Sequence, residues 1–199
     1  ERQRAATLGK LERRLRAEPR IVGVATALRP PGEEPWVFVD IEGLQPPMNV
    51  PSEVLNGQLP GFLARFNQVD PEFFDLYEVA SLAGRRLEAA DGVLVNRNFA
   101  ETLAGDAGGS GGANALGRRF RYVRATDGEW LHGPEANRWY EVVGVVGNLP
   151  VTTDARVAYH VATPGQIHPA YLQLRLEDGS AGLAERLRDV AASVDAKLQ

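Results

Sequence analysis

Few residues in this chain have both the type and the spacing that chemistry requires. Ser52, Ser81, Ser110, Ser180 and Ser193 could each supply a nucleophile. None sits in a Gly-x-Ser-x-Gly elbow and none begins a Ser-x-x-Lys, so the groups that would activate them are not in place. His132, His160 and His168 could gather around a metal, but their spacings do not fit helical histidine pairs and no carboxylate–histidine motif accompanies them. They read as surface or internally satisfied histidines. Asp70 and Asp91 stand beside turn or helix-start residues, where aspartate is expected for capping alone. No pair of carboxylates is singled out as acid and base. The run Gly105–Gly112 invites a phosphate-binding reading but has no Gly-Lys-Ser/Thr ending, no Gly-x-Gly-x-x-Gly register and no strand leading into it. It reads as a loop. The sequence therefore nominates no catalytic, cofactor-binding or metal-binding residue.

Arginines are the remaining reactive-looking feature. Gly84-Arg85-Arg86 and Gly117-Arg118-Arg119 both stand at strand entrances, where solvated or intramolecularly paired arginines are the simple reading and an acidic partner surface the alternative. Residues 1–20 hold seven Lys/Arg against three Glu, a net of +4, which leaves −8 for the rest of a chain whose total is −4. The basic stretch reads as a solvated helix face, with lipid headgroups or a partner as the alternative. The overall negative charge argues against nucleic acid as a partner.

The composition, 44% hydrophobic and 24% charged over 199 residues, is that of a chain able to bury a real core in one domain or two small ones. It has no cysteine, which removes disulfides, thiolate zinc sites and thiol nucleophiles together. No apolar run approaches the roughly 18 residues of a membrane span and no signal-peptide pattern opens the chain. It starts at Glu1, inside a charged helical pattern, and so reads as a piece of a longer protein.

The elements fall in a clear order around one stretch, Trp139–Pro150. Val142, Val143, Val145 and Val146 occupy both parities of a strand, which predicts a central strand covered on both sides. Gly144 and Gly147 within it predict a bulge or a close backbone approach. Upstream, residues 5–18 read as a helix with Leu8, Leu11 and Leu15 on one face, stopped by Pro19. Strands at 21–28 and 36–41 are expected to form a hairpin with a long loop. Residues 44–61 read as a surface excursion or binding loop. A strand over 62–69 precedes a short helix over 71–77, with Asp70 as cap and Pro71 at the first helical position. Residues 79–83 lead out to Gly84. A strand over 93–95 precedes a helix over 97–103 capped by Asn96. Strands follow at 120–125, 140–146, 156–161 and 171–176, and a last helix carries Leu183, Leu187, Val190 and Val194 in a stripe. The two terminal helices each adjoin a strand, which predicts that they pack side by side on one sheet. The class is α+β.

Several of these segments, in this order, resemble the MacB-like periplasmic core domain of ABC transporter permeases of the MacB/FtsX class. Val69-Asp-Pro-Glu-Phe-Phe-Asp-Leu-Tyr77 resembles the family's Val-Ser-Pro-x-Tyr-Phe-x-x-Leu segment, with Asp70 in place of the common serine. Leu82-Ala-Gly-Arg85 and Glu88-Ala-Ala-Asp91 follow as its Gly-Arg and Asp positions do. Gly92-Val-Leu-Val-Asn-Arg-Asn-Phe-Ala100 is similar to Val-x-Val-Asn-x-x-Phe-Ala, Ala115-Leu-Gly-Arg-Arg-Phe120 to its Leu-Gly-Lys/Arg segment, and Tyr140-Glu-Val-Val-Gly-Val-Val-Gly-Asn148 to its Ile-Val-Gly-Val-Val-Gly-Asp signature. Leu15–Val24 resembles the family's entry segment with Arg20 replacing glycine, and the Gly-rich loop at 105–112 replaces a shorter acidic one.

The resemblance implies a porter-like sheet-plus-helix subdomain, assigned to residues 1–82 and 167–199, with a second α/β (sabre-like) subdomain inserted over 83–166. It implies a non-catalytic domain on the periplasmic or extracellular side of the bacterial inner membrane, with transmembrane helices of the parent chain flanking both termini. ATP would be hydrolysed on a separate cytoplasmic domain. The implied partners are a second permease in a dimer and a periplasmic adaptor or exported substrate, contacted through the 44–61 excursion or the Gly-rich loop. The rival reading is a free-standing secreted α+β binding or accessory protein, and a hydrolase stands third.

Overall fold

The computed structural model describes residues 2–45, 61–85, 92–105, 113–123, 134–135, 137–152, 154–162, 166–177 and 183–194. It is an α+β fold. Its elements are α1 (Arg2–Arg16), β1 (Ile21–Ala27), β2 (Trp36–Ile41), β3 (Phe62–Val69), α2 (Phe73–Leu76), β4 (Ser81–Gly84), β5 (Val93–Asn96), α3 (Arg97–Ala104), β6 (Arg119–Val123), β7 (Trp139–Val146), β8 (Val157–Val161), β9 (Tyr171–Leu176) and α4 (Leu183–Val194). No helix among the described residues is long and apolar enough to cross a membrane. The chain divides into two compact units: Glu1–Pro30 with Gln68–Glu78 and Ala162–Gln199, and Pro31–Asn67 with Val79–Val161. This division groups residues 31–67 with the second unit, whereas the sequence reading joined them to the first.

In the first unit β1 is the middle strand. Its full length pairs antiparallel with β9, from Ile21↔Leu176 to Ala27↔Tyr171, and its end meets the end of β3 at Ala27↔Val69. The expected hairpin between the strands at 21–28 and 36–41 does not form. Both edges of β1 are occupied by strands distant in sequence, and adjacency along the chain carries no information about that. Helices α1 and α4 lie side by side, as expected. Leu11 and Leu15 of α1 are buried with Ile21 and Val24 of β1, and Leu172, Leu174, Leu187, Val190, Ala191 and Val194 pack around them. The helix pair is antiparallel: Arg14 of α1 reaches Ser193 at 2.7 Å while Glu18, just past the end of α1, reaches Arg186 at 2.8 Å, so rising numbers along α1 and its exit meet falling numbers on α4. Burying each of Leu11, Leu15, Ile21 and Val24 contributes roughly 1.5–3 kcal/mol.

The second unit is built on strands whose pairings close on themselves, in the order β2-β6-β7-β5-β8-β3 and back through β3 to β2. A closed ring of strands removes free edges, and the side chains of one parity fill its interior. Val37, Val39 and Ile41 of β2, Ala64 and Phe66 of β3, Phe120 and Tyr122 of β6, and Val142 of β7 supply that filling. Strand β7 is central, with parallel pairing to β5 on one edge and antiparallel pairing to β6 and then β4 on the other. Its second half is buried on both faces, as the valine pattern predicts. A Cβ on Gly144 would stand 2.5 Å from both the Arg85 carbonyl oxygen and Leu94 Cδ2, so the backbone does approach closely there. The β5–β7 register slips by one residue at the same place, skipping Val143. Phe99 and Leu103 of α3 are fully buried, and the Phe99 and Phe120 rings meet at a tilt with their centres 5.0 Å apart.

Candidate interaction surface

The structure explains several of the motif residues as structural fastenings. Asn96 caps α3 as expected, its Oδ1 accepting from the Phe99 N–H at 3.1 Å, and the same oxygen accepts from Val157 N–H at 2.9 Å. Its Nδ2 donates to the Ala155 carbonyl at 2.8 Å, so one fully buried side chain ties β5, α3 and β8 together. Asn148, which ends the β7 signature, donates through Nδ2 to Asn98 Oδ1 at 2.7 Å and accepts the Asn98 backbone N–H at 3.3 Å. The two motif segments therefore hold one another, and no group in this network is left free to act on a substrate.

His160 belongs to the second unit and His168 to the first, while His132 lies outside the described residues. His160 Nε2 lies 2.7 Å from the Tyr122 hydroxyl, beneath the Tyr140 ring at 4.9 Å. Burial, helped by the charge of Arg138, lowers its pKa to about 3, and burial pushes the Tyr122 phenol well above its usual value. Tyr122 is fully buried, and the half-buried His160 ring held against it is neutral. Among the described residues no cluster of three or more His, Cys, Asp or Glu could hold a metal ion. Ser81 and Ser193 stand in β4 and α4 with no histidine beside them in a hydrogen bond, and Ser52, Ser110, Ser180 and Asp91 lie outside the described residues.

Asp70 does something the sequence reading did not anticipate. Helix α2 begins at Phe73, with Glu72 in the capping place, so Asp70 is not its N-cap and Pro71 not its first residue. The Asp70 carboxylate instead reaches across to β1 and accepts the Thr26 N–H at 2.5 Å, while Thr26 Oγ1 donates to Glu12 of α1 at 2.6 Å. Asp70 is 1% exposed and its Oδ1 has no hydrogen-bond partner. Burial raises its pKa to about 6 against the lowering effect of the Thr26 and Phe73 N–H groups, with Glu72 and Glu12 raising it further. A long-range backbone contact of this kind leaves no trace in local sequence, because the same Asp-Pro pair is what a helix start would show.

Arg118 and Arg119 have partners within the chain. Arg119 binds Glu42 through two nitrogens and Arg118 Nε donates to the Leu103 carbonyl at 3.1 Å. Pairing with Arg119 holds the Glu42 carboxyl below its usual value. Arg86, the 46–60 part of the expected binding excursion and the 106–112 part of the Gly-rich loop lie outside the described residues.

What the structure does bring together is an outer face of the second unit's ring that carries aromatic groups where polar ones are usual. Trp36, Phe38 and Asp40 share the outward parity of β2, and Trp139 stands at the start of β7. Phe38 is opposite Leu63 on one side and Val123 on the other, and Arg121 is opposite both Asp40 and Trp139. Trp36 is 54% exposed, Leu63 39% and Trp139 38%. The Arg65 guanidinium lies 4.2 Å from the Trp36 ring and that of Arg121 4.9 Å from the Trp139 ring, a cation–π arrangement in each case. Arg65 is further held by Glu34 and Gly32, and Arg121 by Asp40 at 2.7 Å. Tryptophan and arginine pre-set in one conformation are the residues that dominate protein contact surfaces. Asp40 and Arg121, charged groups of this face, are paired with one another. The sequence signal for it was the alternation Trp-Val-Phe-Val-Asp, whose outward set is two-thirds aromatic.

No protein-family model matches the chain, and no curated protein matches it. Solved structures do. A domain described as belonging to a permease of Porphyromonas gingivalis superposes with a TM-score of 0.56 at 15% identity, over 91% of this chain and 72% of that one. The periplasmic region of MacB from Actinobacillus actinomycetemcomitans does so with 0.56 at 13% identity, over 96% and 75%. The extracellular domain of the noncanonical ABC-type transporter YknZ from Gram-positive bacteria gives 0.52 at 12%, over 94% and 80%. At these identities the likeness speaks for the fold, and it agrees with the resemblance read from the motifs. The chain has the fold of the extracytoplasmic domains of MacB-type ABC permeases.

Proposed function

We infer that this chain is the extracytoplasmic domain of an ABC transporter permease, a non-catalytic module that contacts a substrate or partner and passes on the movement of the membrane helices. The observation that carries this reading, beside the shared fold, is the antiparallel pairing of α1 with α4. It sets the start of α1 and the end of α4 at the same end of the first unit, as a domain inserted between two neighbouring membrane helices requires. In this reading the domain stands on the outer side of the bacterial inner membrane and transmembrane helices of the parent chain flank it. The permease is a dimer, and a periplasmic adaptor or the exported substrate meets the domain. The first unit, with its sheet under two helices, corresponds to the porter-like half and the second to the inserted half. ATP is hydrolysed on a separate cytoplasmic domain. The aromatic face around Trp36 and Trp139 has the composition that partner contact needs.

The absence of cysteine makes the sidedness directly testable. Val151 is 64% exposed, and a Val151→Cys variant of the full-length parent protein gives a single reporter in this domain. Labelling by a membrane-impermeant maleimide in intact spheroplasts is expected. Labelling only after lysis would place the domain inside the cell and overturn the reading.

A further inference from the structure

We propose that the open edge of β9 is a docking site for an extended strand of a partner polypeptide, which adds itself to the sheet of the first unit. Among the described residues β9 pairs with β1 alone. The direction of its backbone groups follows from two sets of hydrogen bonds. Thr26 gives its N–H to Asp70 and its carbonyl accepts the Asp70 N–H at 2.9 Å, so Thr26 faces away from β9, and its cross-strand neighbour Leu172 must face away from β1. The Glu177 N–H donates to the Arg20 carbonyl at 2.9 Å, which turns the odd-numbered residues of β9 towards β1. Leu172, Leu174 and Leu176 therefore present their N–H and C=O groups at the edge, in the alternation an incoming strand reads.

Among the described residues the devices that normally blunt such an edge are missing. Strand β9 contains no proline, the register irregularity in this pair falls on β1 between Ile21 and Gly23, and the one charge in the strand, Arg175, is held by Glu78 at 2.6 Å. Gln173 is likewise held by the Tyr77 hydroxyl at 2.7 Å on the same face as Arg175. On the opposite face the edge is apolar: Leu176 is 36% exposed, and Leu172, Leu174, Leu187 and Val190 are only partly buried. The partner that fits is a segment of five or so residues with apolar side chains on the helix face and polar, hydrogen-bonding ones on the face of Gln173 and Arg175. A second copy of this chain is the wrong occupant. Antiparallel pairing of two β9 strands in one sheet needs a two-fold axis normal to that sheet, which would point the α1–α4 ends of the two copies in opposite directions. That exclusion rests on the permease reading above, in which both ends face one membrane; the edge itself does not.

The test uses residue-resolved amide exchange on the chain, with a capped hexapeptide of alternating valine and threonine as the probe. In the free chain the amides of Leu172, Leu174 and Leu176 are expected to exchange about 100-fold faster than those of Gln173 and Arg175. The peptide at about millimolar concentration is expected to slow the first three at least about tenfold and leave the other two unchanged. A backbone ester at residue 174, which removes the outward N–H and keeps the side chain, is expected to weaken that protection about tenfold without changing the exchange elsewhere. Outward amides already as slow as their neighbours, or no protection by the peptide, would overturn the proposal. So would protection that grows with the concentration of the chain alone and tracks dimerisation by ultracentrifugation. Because the peptide experiment needs no membrane, its failure is separate from a failure of the Val151→Cys sidedness test.

Discussion

Replacing Asp70 by asparagine tests the most unusual group in the first unit. The Asp70 carboxyl is buried, has one oxygen without a partner, and its pKa rises from 3.8 to about 6. The folded state thus holds a proton at Asp70 over a window, from about pH 4 to about pH 6, in which the unfolded chain has released it. Stability contributed by this group is fully present below the lower limit and is lost as the pH rises through the upper one. Two pKa units correspond to about 3 kcal/mol over the whole window, and to about 1.4 kcal/mol between pH 5 and pH 7.5. Asparagine keeps an oxygen to accept the Thr26 N–H and carries no charge to desolvate. The measurement is urea unfolding followed by far-ultraviolet circular dichroism at pH 5 and 7.5 for parent and Asp70→Asn. Taking the difference between the two proteins cancels every other titrating carboxylate. The parent is expected to lose about 1.4 kcal/mol more than the variant on going to pH 7.5, a shift of roughly 0.7 M in urea midpoint at a typical slope of 2 kcal/mol/M. If the two proteins change in parallel, the proton is not held at Asp70 and the reasoning fails.

Other expectations follow from single contacts. Gly144→Ala would drive a methyl group against the Arg85 carbonyl and Leu94, and is expected to cost about 2–3 kcal/mol by denaturant unfolding; a cost below about 0.5 kcal/mol would mean that β4 and β5 do not flank β7 so closely. Asn96→Ala removes the α3 cap and two further buried hydrogen bonds, with an expected loss of about 2–4 kcal/mol. An Asn96→Asp variant that equalled the parent would show that the Ala155 contact contributes nothing. The His160 ring, enclosed against Tyr122 and Tyr140, is expected to stay neutral in NMR titrations down to about pH 4, and a midpoint near 6 would contradict its burial.

Much of the secondary structure was legible because its signals are local. The strands at Trp36–Ile41 and Phe62–Val69 were read with the bounds that the structure gives them, the clean alternation of Tyr171–Leu176 gave that strand its limits, and Asn96 announced the helix that it caps. The glycine in the valine run announced a close approach, which the Arg85 carbonyl makes. Pairing was less legible, because a strand pattern says that a strand exists and not which edge it joins. Thus β1 was given the neighbour nearest in sequence, although its edges go to β9 and β3. Strand β3 shows the limit most clearly: one uninterrupted strand contributes Phe62–Asn67 to the second unit and Gln68–Val69 to the first. The aromatic outer face was visible only as parity, and its arginine partners come from β3 and β6. The Asp70–Thr26 contact spans 44 residues, beyond anything a spacing rule can hold.

The central claim is that this domain projects from a permease, between two of its membrane helices. The most direct measurement is fractionation of the native polypeptide with peptide mapping across and beyond both ends of residues 1–199. Recovery in an integral membrane protein, with apolar spans adjoining Glu1 and Gln199, is the predicted result. Recovery as a water-soluble polypeptide ending near those residues would contradict it, and the free-standing binding protein would take its place.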